Sequence, residues 1–280
     1  MQYRFLRFPE GLAKAVTLSY DDGCIQDKRF SQRISKVGLK CTFNICSNKS
    51  KLTDDEIREY IISKGHEVAI HGKNHRAPGI VRAIDGIRDV LECRMELEER
   101  FDTIIRGMAY PDTGIRRCEG GLSYARVKEY LCDLDIAYAR TACGDNNRFF
   151  LPDDWHKWMP NAHHENPKLM ELIDEFLETD LSEKAYAASR DARLFYLWGH
   201  SHEFDRADNW DLLDKICDKL GGKEDVWYAT NIEVCEYVKA YYSLIYSADG
   251  RKIFNPTSMD VWADVDGKCY KIASGKTIRI

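Results

Sequence analysis

The sequence predicts an α/β chain: a distorted (β/α)7 TIM-like barrel over residues 1–246, with a small C-terminal β appendage over residues 247–280. Three observations lead there. Short apolar runs alternate with amphipathic helical patterns along most of the chain, the signature of a parallel sheet. The run Leu194-Phe195-Tyr196-Leu197-Trp198 is continuously apolar, as expected for a parallel strand buried on both faces. Seven such units in roughly 230 residues fit a closed barrel better than an open sheet, since barrels commonly take about 250 residues.

Taken in order, residues 15–20 read as the first strand, and residues 25–37 as a helix with Ile25, Phe30, Ile34 and Val37 on one face. Gly38 ends that helix, and residues 41–46 form the second strand. Thr53 with Glu56 three residues on is a capping box that starts the next helix. The helix closes at Gly65, before a third strand over 67–70. A long charged helix runs over 79–101, its Glu and Arg residues supporting one another at i,i+4. The fourth strand is placed at 103–109, a helix at 123–134 and the fifth strand at 136–140. Residues 141–166 read as one irregular loop, of a length that usually serves function. A helix over 167–178 has Pro167 in its first turn. The sixth strand is 193–198, a helix lies near 210–220, the seventh strand is 226–229, and a last helix lies near 232–246. Turn signals at Asp249-Gly250 and Asp266-Gly267 then separate short alternating runs, which read as hairpins.

Composition narrows the class. Of the 280 residues, 44% are hydrophobic and 31% charged, ordinary for a globular protein. A formal net charge of -5 argues against nucleic acid or an anionic membrane as the main partner. The first ten residues contain no apolar signal-peptide core, and no apolar run reaches the length of a membrane span, so a cytoplasmic protein is expected. The ten cysteines include no C-x-x-C pair and are expected to be reduced core residues. Oligomeric state is open; the appendage would serve as a homo-oligomer contact or as a groove wall.

The chemistry concentrates at strand ends. Asp21-Asp22-Gly23 follows the first strand, and two adjacent carboxylates on an extended chain face different ways, so they can take different work. His71 and His75 follow the third strand at i,i+4, a spacing that lets both reach one metal. Two histidines and one carboxylate would leave a coordination position open, as catalytic sites need. His200 follows the sixth strand, with His202 and Glu203 next to it, and is expected to act as a general acid. All these groups fall on the rim where barrel active sites are built. Phe149, Trp155 and Trp158 of the long loop either stack on a sugar face or cap the core. His156, His163 and His164 are expected to be supporting or merely polar loop groups.

These stretches resemble the polysaccharide deacetylases (carbohydrate esterase family 4, the NodB homology domain). Ser19-Tyr20-Asp21-Asp22-Gly23 is similar to the family's T-F-D-D-G motif, and His71 to His75 to its H-[ST]-x-x-H motif. Gly65-His66-Glu67-Val68, Gly38-Leu39-Lys40-Cys41-Thr42-Phe43 and Leu197 with His200 match further family stretches, over about residues 12–245. The resemblance implies a divalent metal, most often zinc, with Co2+, Mn2+, Ni2+ or Fe2+ as alternatives, held by Asp22, His71 and His75. It implies Asp21 as general base and His200 as acid toward the leaving amine. The implied reaction removes N-acetyl or related N-acyl groups from a sugar or oligosaccharide. A small non-sugar amide, or a binding-only barrel, is the alternative. The third motif departs from R-x-P-[FY]: aligning Pro111 puts Ala109 where the base-steadying arginine belongs and Asp112 at the aromatic position. Arg140, after the fifth strand, is the candidate substitute. A backbone N–H near Tyr110 to Asp112 is expected to help stabilise an oxyanion, and Asp154-Trp155 loosely matches the family's groove-lining pair.

Overall fold

The computed structural model describes residues 2–112, 122–141, 149–181 and 190–280. In chain order it contains β1 (Arg4–Arg7), β2 (Lys14–Asp21), α1 (Asp27–Ser35), β3 (Cys41–Ile45), α2 (Asp54–Tyr60), β4 (Glu67–Ile70), α3 (Ala83–Phe101) and β5 (Gly107–Ala109). There follow α4 (Leu122–Asp133), β6 (Tyr138–Arg140), β7 (Ala162–His163), α5 (Leu169–Glu178), β8 (Arg193–Gly199), α6 (His202–Arg206), α7 (Trp210–Leu220), β9 (Val226–Tyr228) and α8 (Asn231–Tyr242). The chain ends with β10 (Ile245–Tyr246), β11 (Lys252–Phe254), β12 (Val261–Val265), β13 (Lys268–Ile272) and β14 (Thr277–Arg279).

The main sheet runs β6-β5-β4-β3-β2-β8-β7, every pair parallel. Its two ends meet. Trp158 N–H donates to Ala139 O at 3.1 Å and Thr141 N–H to Trp158 O at 2.9 Å, a parallel bridge between β6 and the segment that leads into β7. Strands β2 to β8 therefore form a ring in chain order, a (β/α)7 barrel. The distortion has two sources. Between β6 and β7 the described residues carry only a 3-10 turn, Trp155–Lys157. In addition, β9 lies off the ring and pairs with the first half of β2.

This corrects two expectations. The ring includes β7, which lies within the predicted loop, and the predicted seventh strand is β9, outside the ring. The fourth strand of the ring, β5, starts at Gly107 rather than 103, and α3 starts at Ala83 rather than 79. Both capping boxes close as chemistry dictates, at Thr53 with Glu56 and at Thr230 with Glu233.

Two hydrophobic clusters fill the molecule. One joins β2 and β3 to α1, α3 and α7 through Leu18, Phe43, Phe30, Leu97 and Leu213. Along α3, Val90, Cys93, Leu97 and Phe101 form the buried stripe that the helical period requires. The second cluster joins the barrel to the C-terminal strands, through Ala15, Tyr196, Val238, Val261 and Ile272. Those strands form two antiparallel sheets, β1-β12-β13 and β10-β11-β14. Residues 247–280 thus pair with β1 at the chain start as well as with β10.

Cysteines 41, 46, 93, 217 and 235 are buried and unbridged, as expected, whereas Cys132 and Cys269 are exposed; Cys118 and Cys143 lie outside the described residues. Phe149 and Trp158 are core residues: Phe149 packs on Phe176 and Phe195, and Trp158 on Tyr138 and Tyr196. No helix among the described residues is long and apolar enough to cross a membrane.

Candidate active site

Strand register brings the chemistry to one rim. Asp21 pairs with Asn44, Ile45 with Ile70, Ala109 with Arg140 and Trp198 with His163, so all these strands end level. His71 and His200 are the first residues past β4 and β8. Asp21 is the last residue of β2, and Asp22 leaves the strand at φ 81°, in the left-handed region that a non-glycine residue rarely adopts. Past that turn both carboxylates face His71 and His200. Gly23 follows at φ 66°, a conformation that strains any other side chain, and a Cβ there would crowd Ser50 Oγ at 2.7 Å.

Asp21 is buried and held on both oxygens. Arg140, itself fully buried, bonds Oδ2, and Asn44 Nδ2 donates to Oδ1 at 2.9 Å. Burial alone would raise this carboxyl, but Arg140, His71 and His200 hold it below the usual carboxylate value. Arg140 also lies over the Trp198 ring, 4.7 Å from its centre. The arginine missing from the third motif is thus supplied one strand later. Asn44 was not foreseen; the available signal was a single amide inside the apolar stretch Phe43-Asn44-Ile45.

Asp22 faces the two histidines. Its Oδ1 lies 3.6 Å from His71 Nε2 and 3.4 Å from His75 Nε2. His71 Nδ1–H donates to Ala109 O at 3.0 Å, which leaves the Nε2 lone pair aimed at Asp22. Burial depresses the His71 pKa and favours that neutral ring. His75 Nδ1 stands 3.4 Å from Asp112 Oδ1, so the aspartate at the expected aromatic position faces the back of a histidine. The donor atoms of Asp22, His71 and His75 all lie within 4.8 Å of one another. One carboxylate and two imidazoles, each backed by an acceptor on its far nitrogen, suit a divalent cation and leave a coordination position for water.

His200 completes the rim. Its Nε2 is 3.9 Å from Asp21 Oδ2 and 4.0 Å from Asp22 Oδ2. Behind it, Glu203 Oε2 lies 3.4 Å from His200 Nδ1, accepts from the His200 N–H at 3.0 Å and accepts from His163 Nε2 at 3.0 Å. Burial works against a charged His200, yet Glu203, Asp21 and Asp22 outweigh it and raise the imidazole above its ordinary value. Glu203 is the second residue that sequence reasoning passed over. His202, named beside it, turns to Cys24 instead, with Nδ1 3.3 Å from Sγ. Two further donor groups, Asp22/Cys24/His202 and His163/His200/Glu203, have the same atomic spread among the described residues. In the first, burial holds the Cys24 thiol protonated; in the second, the carboxylate is already taken up by hydrogen bonds.

The remaining sequence-named residues are placed as follows. Tyr110 is buried, its hydroxyl donates to His156 O at 2.9 Å, and its N–H donates to Arg140 O at 3.0 Å. Pro111 has no N–H, so Asp112 is the one N–H of the three not used within the described residues; Thr113 and Gly114 lie outside them. Asp154 accepts from Tyr124 Oη at 2.5 Å, Lys128 Nζ at 2.8 Å and the His156 N–H at 3.0 Å, capping the 3-10 turn. Trp155 packs edge-on against Trp158. No contact among the described residues joins either to the carboxylate–histidine cluster. His163 and His164 stand beside Glu203, whereas His156 Nε2 donates to Ile136 O at 2.8 Å, away from the rim.

No protein-family model matches the chain, and no curated protein does. Solved structures with a similar fold include the peptidoglycan deacetylase PdaC from Bacillus subtilis, at 14% identity over 82% of this chain and 93% of that one, with a TM-score of 0.48. The chitin deacetylase from the fungal pathogen Colletotrichum lindemuthianum shows 16% identity over 82% and 90%, at 0.48. BA3943 from Bacillus anthracis, a CE4 family pseudoenzyme, shows 13% identity over 82% and 68%, at 0.46. The likeness is one of architecture only. Fold class here stands on the strand ring itself, and no residue role is transferred from these proteins.

Proposed function

We propose that this chain is a metal-dependent hydrolase that removes N-acetyl or related N-acyl groups from a carbohydrate, with its barrel over residues 1–246. The supporting observation is the shared rim: Asp22, His71 and His75 gathered as a three-donor set, with a buried, arginine-held Asp21 and a charged-prone His200 on either side. A divalent cation at Asp22, His71 and His75, zinc by the donor types, would supply Lewis acidity and a water of lowered pKa. Asp21 Oδ2, ionised against Arg140, accepts the proton of the attacking water. His200 Nε2–H donates to the leaving nitrogen, without which an amine departs poorly. Glu203, which accepts from the His200 N–H and lies 3.4 Å from its Nδ1, puts a negative charge behind the ring while Nε2 faces the carboxylates. The Asp112 N–H is the backbone donor at hand for a developing oxyanion. The binding-only alternative drew on the missing third-motif arginine, and the contact of Arg140 with Asp21 removes that support.

The test pairs metal analysis with acetate release from a panel of N-acetylated sugars and small N-acyl amides. Asp21→Asn is expected to keep about one metal per chain and to lose 10²–10⁴-fold in turnover, the usual range for a general base. His75→Ala is expected to lose both metal and turnover. A metal-loaded wild-type protein that cleaves nothing across the panel, or an Asp21→Asn variant with full activity, would sink this assignment.

A further inference from the structure

Beside the cluster lies a cavity of about 310 Å³ lined by Asp22, Cys24, Lys49, Lys51 and His75. Two of its walls are the candidate metal donors, and the third is the turn after β3 that carries the lysines. That turn is pinned to both neighbours. Lys51 N–H donates to Gly23 O at 2.8 Å and Asn48 N–H to Lys73 O at 3.2 Å. Asn48 Nδ2 also donates to Asn74 Oδ1 at 3.1 Å. The lysine backbone is therefore fixed to the loops bearing Asp22 and His75, and only the side chains are free to adjust.

The charges in this wall are unbalanced. Lys73, next to His75 in sequence, is neutralised twice, by Glu92 at 2.9 Å and Glu96 at 2.7 Å. Lys49 and Lys51 have no carboxylate within ion-pair distance among the described residues, on a chain whose net charge is -5. Both lysines line the same cavity, where an anion would be attracted to the two like charges. We infer that this wall binds an anionic group, a carboxylate or phosphate, on the substrate. The inference rests on the hydrolase reading only for the position of the acyl group, which faces Asp22 and His75 while the anion faces the lysines.

The experiment is isothermal titration of chelator-treated wild-type protein and Lys49→Ala/Lys51→Ala, so that binding is read without turnover. The probes are N-acetylglucosamine, N-acetylglucosamine 6-phosphate and N-acetylmuramic acid. At low ionic strength, at least one charged sugar is expected to bind about tenfold more tightly than the neutral one, and the two charged probes tell phosphate from carboxylate. That ratio is expected to fall to near one in the double variant and at high salt, which screens exposed charges. Equal affinities in the wild type, absence of binding by both charged sugars, or a preference that survives the double substitution would overturn the inference. Zinc-loaded protein separates the two readings. Cleavage of sugars without a charge preference upholds the hydrolase alone, and a charge preference without cleavage of any probe upholds the anion wall alone.

Discussion

Asp21 keeps its charge inside the barrel because Arg140 and Asn44 take both of its oxygens. Removing one member of a buried ion pair leaves the other uncompensated, at a cost of about 3–5 kcal/mol. Arg140→Leu is therefore expected to lower unfolding free energy by that order in urea melts at neutral pH. The sign follows from Asp21, whose folded pKa is depressed: its contribution is present above the unfolded value and lost as pH falls through the folded one. The deficit of Arg140→Leu should accordingly shrink in acid. Asp27 behaves the opposite way. It is fully buried, Ser201 Oγ donates to its Oδ1 at 2.5 Å, and its Oδ2 has no hydrogen-bond partner among the described residues. Burial raises it from 3.8 to about 8, so the folded state holds this proton longer than the unfolded chain. Its contribution is complete below about pH 4 and drains away as pH climbs toward 8. Asp27→Asn is expected to flatten that slope, as read from urea midpoints across pH 4–9. At this scale, the carboxylates and histidines gathered at the rim were legible, because such residues at strand ends announce themselves. Asn44 and Glu203 were not, since an amide in a strand and an acid in a short helix look ordinary until register sets them behind Asp21 and His200.

Among the elements, the segment around Trp158 closes the ring, though it is only a bridge and a two-residue strand. The indole is buried against Tyr138, Trp155 and Tyr196. Trp158→Ala is expected to cost about 3–5 kcal/mol in thermal or urea unfolding, and to speed amide exchange at Thr141 and Asn161 ahead of β3. A smaller loss with unchanged exchange would mean that closure does not depend on this side chain. Apart from the five-residue α6, which was not predicted, helices were legible to within a few residues, since caps and a 3.6-residue stripe are local signals. The strands β1 and β7 were not, because four and two residues carry no period to read. They exist through long-range pairing, β1 with β12 and β7 with β8.

For the whole molecule, the C-terminal strands and the barrel share a core. Leu6 and Phe8 pack with Val238, Val261 and Ala263 in one cluster. Arg7 and Arg190 both pair with Asp264, at 3.0 and 2.9 Å. A chain stopped at residue 246 loses the partner of β1 and leaves those two arginines buried without their acid. It is expected to give no single cooperative unfolding transition and to aggregate, as judged by calorimetry and light scattering. A soluble truncation that melts cooperatively would make the appendage an independent unit. The barrel itself was legible from alternation together with the length of the chain, whereas the pairing of β1 with the C-terminal strand β12 lay beyond any local pattern.

The strand that bears the two carboxylates draws its partners from both ends of the sequence. On one side the second half of β2, Leu18 to Asp21, lies against β3, and on the other β8 runs from Arg193 opposite Lys14 to Gly199 opposite Tyr20. During synthesis, the first side can form early and the second only after most of the chain has left the ribosome. Until then Asp21 has no closed barrel around it, and His200 has not been made. Such distant pairing is slow, because a long loop must close before its contacts are rewarded. The approach of His200 to Asp21 and Asp22 should therefore come in the last phase of refolding, later than the bulk of the helical signal.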